Sequence, residues 1–153
     1  MADTLGSLCD KLTIVKLKQW HSDDPSRLQS LNEQEKQLAS EINELVRAAV
    51  DGSIPAERLT FPANKVYREQ GGRVADVAGS IGAIFAQLAR VNCALWHEQE
   101  KVYEFEKVPA AEKDGVVKQL AMLNLERNQC IDGIDRGFRS MIESARSSAS
   151  RKK

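Results

Sequence analysis

The chain has 153 residues, the size of one ordinary domain with room for a full hydrophobic core. Its composition, with 42% hydrophobic and 29% charged residues, is typical of a folded globular protein and excludes a largely disordered one. The 22 basic and 22 acidic side chains give zero formal net charge. A zero balance argues against a dedicated nucleic-acid binder and leaves no net repulsion between copies of the chain.

The N-terminal segment MADTLGSLCDK lacks the basic and apolar stretches of a signal peptide. No apolar run approaches the roughly 20 residues that cross a bilayer, so we expect a cytoplasmic protein that contacts neither membrane nor nucleic acid. The cysteines Cys9, Cys93 and Cys130 are too widely spaced for a disulfide framework or a zinc motif. We expect no cofactor and no bound metal, because the chain has no paired-ligand motif and no phosphate-binding glycine loop.

Helical periodicity extends over nearly the whole chain, and no segment has the sustained alternation of a β-strand. The first helix is predicted from about Thr4 to His21. Asp24 is the predicted N-cap of the second helix, with Pro25 at its first position, and Gly52 is its predicted C-terminal cap.

The connector SIPAERLTFPANK (53–65) follows, with one short helical turn predicted after Pro55. A break at Gly71-Gly72 precedes the third helix, which is predicted from about Val74 to Lys107. The last helix is predicted from about Ala111 to Ala145. Residues 1–145 are therefore expected to form a single helical domain, and the small, basic residues 146–153 a flexible tail.

The dipeptide Trp-His occurs twice, at Trp20-His21 and Trp96-His97, and these pairs contain every tryptophan and histidine of the chain. The second pair lies 76 residues after the first. A shift larger than this by 16 residues aligns LNEQEKQ (31–37) with LNLERNQ (123–129). This internal repeat indicates a duplicated helical hairpin. Two packed αα-hairpins predict an all-α, antiparallel four-helix bundle.

The first helix is apolar on two sides, because Ile14 and Leu17 lie outside the face formed by its other apolar residues. A second apolar side is either central in the bundle or covered by another subunit. We therefore predict a homodimer in which Ile14 and Leu17 contribute to the contact. His21 lies beside them and could be covered, whereas Trp96 is expected at the edge of the core and His97 at the surface or at an interface.

Several polar residues fall within otherwise apolar helical faces. Asn92 lies near the middle of a buried face, Asn124 and Arg127 lie inside the apolar arc of the last helix, and Asn128 and Asp135 lie towards its edge. A buried arginine needs a carboxylate or carbonyl partner, for which Glu35 is a plausible residue. These residues form either a polar network that fixes helix register or a pocket in which Arg127 binds an anion. Secondary candidates for such a pocket are Trp20, His21, Trp96, His97 and Glu98.

The segments NCALWHEQEK (92–101) and LNLERNQCIDGID (123–135) resemble an uncharacterised family of small bacterial helical proteins, a domain of unknown function with an Asn-x-x-Leu-Trp-His-Glu motif. The opening segment LGSLCDKLTIVKLKQWH (5–21) is similar to segments of proteins that belong with bacterial cell-surface polysaccharide and sugar-transfer systems. The resemblance implies no established activity. The positions that match the family are Asn92, Leu95, Trp96, His97, Glu98, Asn124, Arg127, Asn128 and Asp132.

Two functions are consistent with these patterns. The first is a non-enzymatic helical module that dimerises or docks onto a protein partner, with a link to cell-surface sugar transfer implied by the resemblance. The alternative is a small-molecule binding protein or enzyme whose pocket lies between the hairpins and accepts a phosphorylated or nucleotide-linked sugar. No catalytic residue is assigned, because no nucleophile and base stand out as a set.

Overall fold

The computed structural model describes residues 3–61 and 77–150, and within these ranges the chain forms helices and no β-strand. In the described ranges, two short 3₁₀ helices accompany four α-helices. The prediction of an all-α fold is confirmed. The α-helices are α1 (Leu5–Trp20), α2 (Pro25–Asp51), α3 (Ile81–Tyr103) and α4 (Ala110–Ser150), and the 3₁₀ helices are Ala56–Leu59 and Phe105–Lys107.

The caps predicted for the second helix are present, and the first helix has a capping box that was not predicted. Thr4 and Ser7 form a capping box at the start of α1, in which each side chain accepts a hydrogen bond from the other residue's backbone N–H. The Asp24 side chain accepts from the backbone N–H of Ser26 at the start of α2. Gly52 ends α2 with φ +87°, a left-handed conformation that glycine adopts without strain.

The third helix begins later than predicted. Residues 77–80 are not helical, so a start near Val74 is wrong over this stretch, and the predicted break at Gly71-Gly72 lies outside the described residues. The reason is local, because Gly79 has φ +133° and the Ser80 side chain then accepts from the backbone N–H of Ala83 as an N-cap.

The last helix is longer than predicted. It begins at Ala110 and continues past Ala145 to Ser150, and residues 151–153 of the predicted tail lie outside the described residues. Arg146 lies in this extension and donates hydrogen bonds to the backbone carbonyl groups of Ala49 and Ile54. This end of α4 is therefore attached to the end of α2.

Helices α1 and α2 pack as one antiparallel hairpin, and α3 and α4 pack as a second. In the first hairpin, Lys16 contacts Glu35 while Gln19, further along α1, contacts Asn32, further back along α2. The second hairpin is formed by α3 and α4 in the same manner. Helix α4 contributes to every one of the three buried apolar clusters. The members of these clusters are Ala49, Leu59, Phe138 and Ile142; Ile84, Leu88, Cys130 and Ile134; and Val91, Leu95 and Leu123.

The start of α1 lies directly against the backbone of α4. A Cβ atom on Gly6 would lie less than 3.0 Å from the carbonyl oxygen of Ile131. The backbone N–H of Gly6 donates to Asp135 Oδ1 at 2.7 Å, so a carboxylate of α4 satisfies one of the free donors at the N-terminus of α1.

Among the described residues, no helix is long and apolar enough to cross a membrane.

Candidate functional site

A buried polar cluster joins α1, α3 and α4. Asp10 of α1 is at its centre and is only 4% exposed. Its Oδ1 accepts from Asn92 Nδ2 at 2.9 Å and from Arg127 Nε at 2.7 Å, and its Oδ2 accepts from Arg127 Nη2. Asn92 Nδ2 also donates to Thr13 Oγ1 at 2.7 Å. One carboxylate of the first hairpin therefore holds two polar side chains of the second hairpin.

The expectation that Arg127 would meet a carboxylate of another helix is confirmed, but Glu35 is the wrong partner. Asp10 holds the guanidinium through two nitrogens, and this hydrogen-bonded pairing raises the pKa of Arg127, so the side chain is charged. Glu35 instead accepts from Lys16 Nζ at 3.1 Å and from Gln19 Nε2 at 2.8 Å. Nearly a third of the Arg127 side chain, 31%, remains exposed.

The side-chain carbonyl of Asn92 has no hydrogen-bond donor. Asn92 is 1% exposed, and Oδ1 finds no partner among the described residues. Rotating the amide would not resolve this, because Oδ1 would then face the Asp10 carboxylate. A buried acceptor without a donor costs about 1–3 kcal/mol. Asn92 therefore retains the capacity to bind a group that donates a hydrogen bond.

Asn92 and Arg127 line a cleft of about 620 Å³ between the two hairpins, which we name the interhairpin cleft. This volume lies within the range of small-molecule binding sites. Amide, cationic, aromatic and aliphatic side chains from all four helices form its walls. The lining residues are Ile14, Lys18, Arg27, Asn92, Leu95, Trp96, Gln99, Val102, Tyr103, Leu120, Asn124 and Arg127.

The charges that line the cleft are all positive. Among the described lining residues, Lys18, Arg27 and Arg127 are cationic and none is acidic. Asp10 compensates the charge of Arg127, whereas neither Lys18 nor Arg27 forms an ion pair with another described residue. The cleft is therefore suited to an anion.

His21 of the first Trp-His pair meets Trp96 and His97 of the second pair at the aromatic wall of the cleft. The ring of His21, at the end of α1, stacks on the ring of Trp96 with centroids 4.7 Å apart and planes 20° apart. The His97 ring lies edge-on to His21 at 6.5 Å. Trp96 Nε1 donates to Glu100 Oε1 at 2.9 Å, which fixes the indole further. The repeated dipeptide thus positions the Trp96 ring.

Of the secondary candidates, Trp96 lines the cleft, and the others do not: Trp20, His21, His97 and Glu98. Trp96 is half-buried, as expected for the edge of the core, and His97 is exposed, as expected for the surface. Trp20 is 86% exposed and does not line the cleft. Glu98 accepts from Lys101 Nζ at 2.7 Å on the same helix.

Among the principal candidates, the structure places three in the cleft and two elsewhere. Asn124 lies in the cleft beside Arg127, and its Nδ2 donates to the Leu120 carbonyl at 3.1 Å. Asn128 is half-buried and is not part of the cleft wall. Asp135 lines a different cavity of about 470 Å³, together with Arg136, Arg139 and Glu143 among others.

Asp135 has a structural contact of its own. Burial raises the pKa of this carboxyl to about 6, against the opposing effect of the hydrogen bond from Gly6. Asp135 therefore belongs with the docking of α1 rather than with the cleft.

Sequence patterns did not identify Asp10, Lys18 or Arg27 as site residues. A signal for Asp10 was present, because a helical wheel places it between Ile14 and Leu17 on the second apolar side of α1. A carboxylate within an apolar face needs a cationic or N–H partner. Lys18 and Arg27 carried no comparable signal, because exposed basic residues are common on any helical surface.

A second surface feature lies between α1 and α3 and is almost entirely apolar. This groove, of about 460 Å³, contains Leu17, the strongly exposed Trp20, and Phe85, which is 37% exposed. We name it the α1–α3 groove. Ile14 and Leu17 are both half-buried, so part of each side chain is accessible, and their role in a dimer remains a prediction. The lining residues are Leu12, Thr13, Lys16, Leu17, Trp20, Phe85, Ala89 and Cys93.

Within residues 3–61 and 77–150, no group of three or more His, Cys, Asp or Glu side chains is placed to hold a metal ion. Comparison of the chain with protein-family models, with curated proteins and with solved structures finds no match. The interpretation of the site therefore rests on its geometry.

Proposed function

We propose that the chain binds a small anionic molecule in the interhairpin cleft. The observation that carries this proposal is the charge of the cleft, because its described lining includes Lys18, Arg27 and Arg127 and no acidic residue. A structural network alone would be expected to satisfy all of its buried groups. In the network beside the cleft, the Asn92 carbonyl oxygen is buried and has no donor among the described residues.

The charges and rings of the cleft favour a phosphorylated ligand. Lys18 and Arg27 supply cations that no described carboxylate neutralises, and Trp96 and Tyr103 supply flat apolar surfaces. Charge-assisted hydrogen bonds to phosphate are about twice as strong as neutral ones. Phosphorylated and nucleotide-linked sugars are the compounds to test first, in agreement with the resemblance to sugar-transfer proteins.

A thermal-shift screen of these compounds tests the proposal, with and without divalent metal ions. A compound present at 100 times its Kd stabilises the folded state by about 2.7 kcal/mol. This corresponds to a rise in Tm of about 5–10 °C for a domain of this size. The proposal is wrong if no compound raises the Tm under any condition.

Arg27→Gln provides the matched variant for this screen. The substitution removes a cation from the cleft, so the Kd of a bound phosphate compound should increase at least tenfold. Arg47→Gln is the control, because Arg47 is an exposed arginine of the same helix that does not line the cleft. If both variants reduce the shift equally, the anion is held by general surface charge and not by the cleft.

Homodimerisation is a second candidate function, supported by the α1–α3 groove. Large exposed apolar patches on monomers commonly mark interaction sites. Trp20 and Phe85 place two aromatic side chains in this groove, and the zero net charge of the chain imposes no repulsion between copies. The α1–α3 groove and the interhairpin cleft share no lining residue, so the two functions are compatible.

Size-exclusion chromatography with light scattering tests dimerisation. Trp20→Ser should shift a dimer towards monomer without loss of helicity, because the Trp20 side chain makes little contact within its own chain. Val50→Ser is the control, since Val50 is 65% exposed on α2 and outside the groove. A chain that is strictly monomeric at micromolar concentration argues decisively against this function.

A further inference from the structure

The hydrogen-bonding groups of the interhairpin cleft differ between its two ends. At the inner end, where Asp10 holds Asn92 and Arg127, the cleft presents amide groups and a guanidinium. Lys18 is eight residues further along α1, which corresponds to roughly 12 Å at 1.5 Å per residue. Arg27 follows in the first turn of α2, after the short connection from α1. The two uncompensated cations therefore lie at the outer end.

The inner end holds amide oxygens that can accept hydrogen bonds. Asn92 Oδ1 has no donor among the described residues, and both hydrogens of its amide are directed to Asp10 and Thr13. The amide of Asn124 is oriented in the same sense, because its Nδ2 donates to the Leu120 carbonyl and Oδ1 remains as the acceptor. Two amide oxygens would repel a fully ionised phosphate but would accept from hydroxyl groups.

Arg127 adds a donor beside these two acceptors. Its Nε and Nη2 are bound to Asp10, so Nη1 is the guanidinium nitrogen that remains for a ligand. A hydroxyl group both donates and accepts, and a group of neighbouring hydroxyls therefore matches a set of two acceptors and one donor. A phosphate matches the cations of the outer end.

We propose that the ligand is a phosphorylated polyol of the sugar phosphate class, bound with its hydroxyl groups against Asn92, Asn124 and Arg127 and its phosphate against Lys18 and Arg27. This proposal rests on the proposed anion-binding function and specifies its ligand. The apolar face of a sugar ring packs on the half-buried ring of Trp96, which His21 and Glu100 hold in place. A site that binds hydroxyl groups discriminates strongly against analogues that lack them.

Isothermal titration calorimetry with four probes tests the proposal: glucose 6-phosphate, uridine diphosphate glucose, phenyl phosphate and inorganic phosphate. We expect the two sugar compounds to bind at least tenfold more tightly than phenyl phosphate or inorganic phosphate. The two sugar compounds distinguish a free sugar phosphate from a nucleotide-linked one, and a preference for either supports the proposal, since both present hexose hydroxyl groups.

Asn124→Leu separates hydroxyl recognition from anion binding. Asn124 is exposed, so the variant should fold normally, as circular dichroism will verify. The preference for sugar compounds should fall to within about threefold, while the affinity for phenyl phosphate stays unchanged. Asn32→Leu, an exposed asparagine of α2 outside the cleft, is the control and should keep the full preference.

The outcomes distinguish this inference from the function on which it rests. Equal affinities for all four probes, or an undiminished sugar preference in Asn124→Leu, would overturn the hydroxyl assignment and leave anion binding in place. Absence of binding by every probe would overturn both. The hydroxyl assignment and anion binding are both supported if Asn124→Leu loses the sugar preference and Arg27→Gln weakens the affinity for all probes.

Discussion

Replacement of Gly6 by alanine tests the contact between α1 and α4. The added methyl group would lie less than 3.0 Å from the Ile131 carbonyl oxygen and at 3.0 Å from Asp135 Oδ1. Backbone atoms of a packed helix cannot rotate away as a flexible side chain can. The two helices must therefore separate, and the hydrogen bond from Gly6 to Asp135 must lengthen or break.

The magnitude follows from three contributions. Overpacking of this kind costs about 1–3 kcal/mol, and loss of a buried hydrogen bond to a charged group costs about 1.5–3 kcal/mol. Alanine is favoured over glycine in a helix by about 1 kcal/mol, which offsets part of the loss. We expect Gly6→Ala to reduce the free energy of unfolding by about 2–4 kcal/mol, which corresponds to a decrease in Tm of about 5–15 °C.

Urea unfolding, followed by circular dichroism at constant pH, measures this change. Gly115→Ala is the matched control, because Gly115 is a helical glycine of α4 with no atom within 4 Å of an added Cβ. This control should be neutral or up to about 1 kcal/mol more stable. If Gly6→Ala is as stable as the unmodified chain while Gly115→Ala behaves as expected, the helices do not approach as closely as described.

Three further predictions concern buried and exposed side chains. Asp10→Asn should lower the free energy of unfolding by about 2–4 kcal/mol in urea titrations, because Arg127 loses its ionic partner. Asp114→Asn, at an exposed position, is the control and should change the free energy of unfolding by less than about 0.5 kcal/mol. Equal effects of the two substitutions would contradict the role of Asp10. Because the pKa of Asp135 is raised to about 6 in the folded chain, its protonated form stabilises the fold below about pH 4, and this contribution is lost as the pH rises through 6. Relative to Asp135→Asn, the unmodified chain should therefore lose about 2–3 kcal/mol between pH 4 and pH 7.5, and a difference independent of pH would refute the assignment. Burial raises the pKa of Cys9 and of Cys130 to about 11, so a thiol reagent at pH 8 should modify the exposed Cys93 rapidly and the other two slowly. Rapid loss of more than one thiol would contradict the burial of Cys130 or the partial burial of Cys9.

The sequence was sufficient for the helices and for part of the site. Periodicity and capping residues are local properties, and they predicted the bounds of α1 and α2 and the caps of α2 to within about one residue. The start of α3 was misplaced because apolar residues before Ser80 continue the helical pattern while Gly79 and Ser80 end it in the folded chain.

The pairing of helices was beyond the reach of such patterns. A helical wheel gives the face on which Arg127 lies but not the height at which another helix meets it, so Glu35 and Asp10 could not be distinguished as partners. The same limit explains why Asp135 was grouped with the cleft, although it lies two turns away and meets Gly6 instead. The stacking of His21 on Trp96 likewise depends on how α1 crosses α3.

The contacts between α1 and α4 also determine when the fold can be completed during synthesis. The bonds from Gly6 to Asp135 and from Arg127 to Asp10 join residues that are 129 and 117 positions apart. The ribosome releases α1 and α2 long before α4, so the emerging first hairpin carries an unpaired Asp10 and a Gly6 backbone N–H that lacks its Asp135 partner. Closing such long loops is entropically costly and is repaid only when the last helix has formed. Translation must therefore proceed through α4 before the first helix reaches its final position.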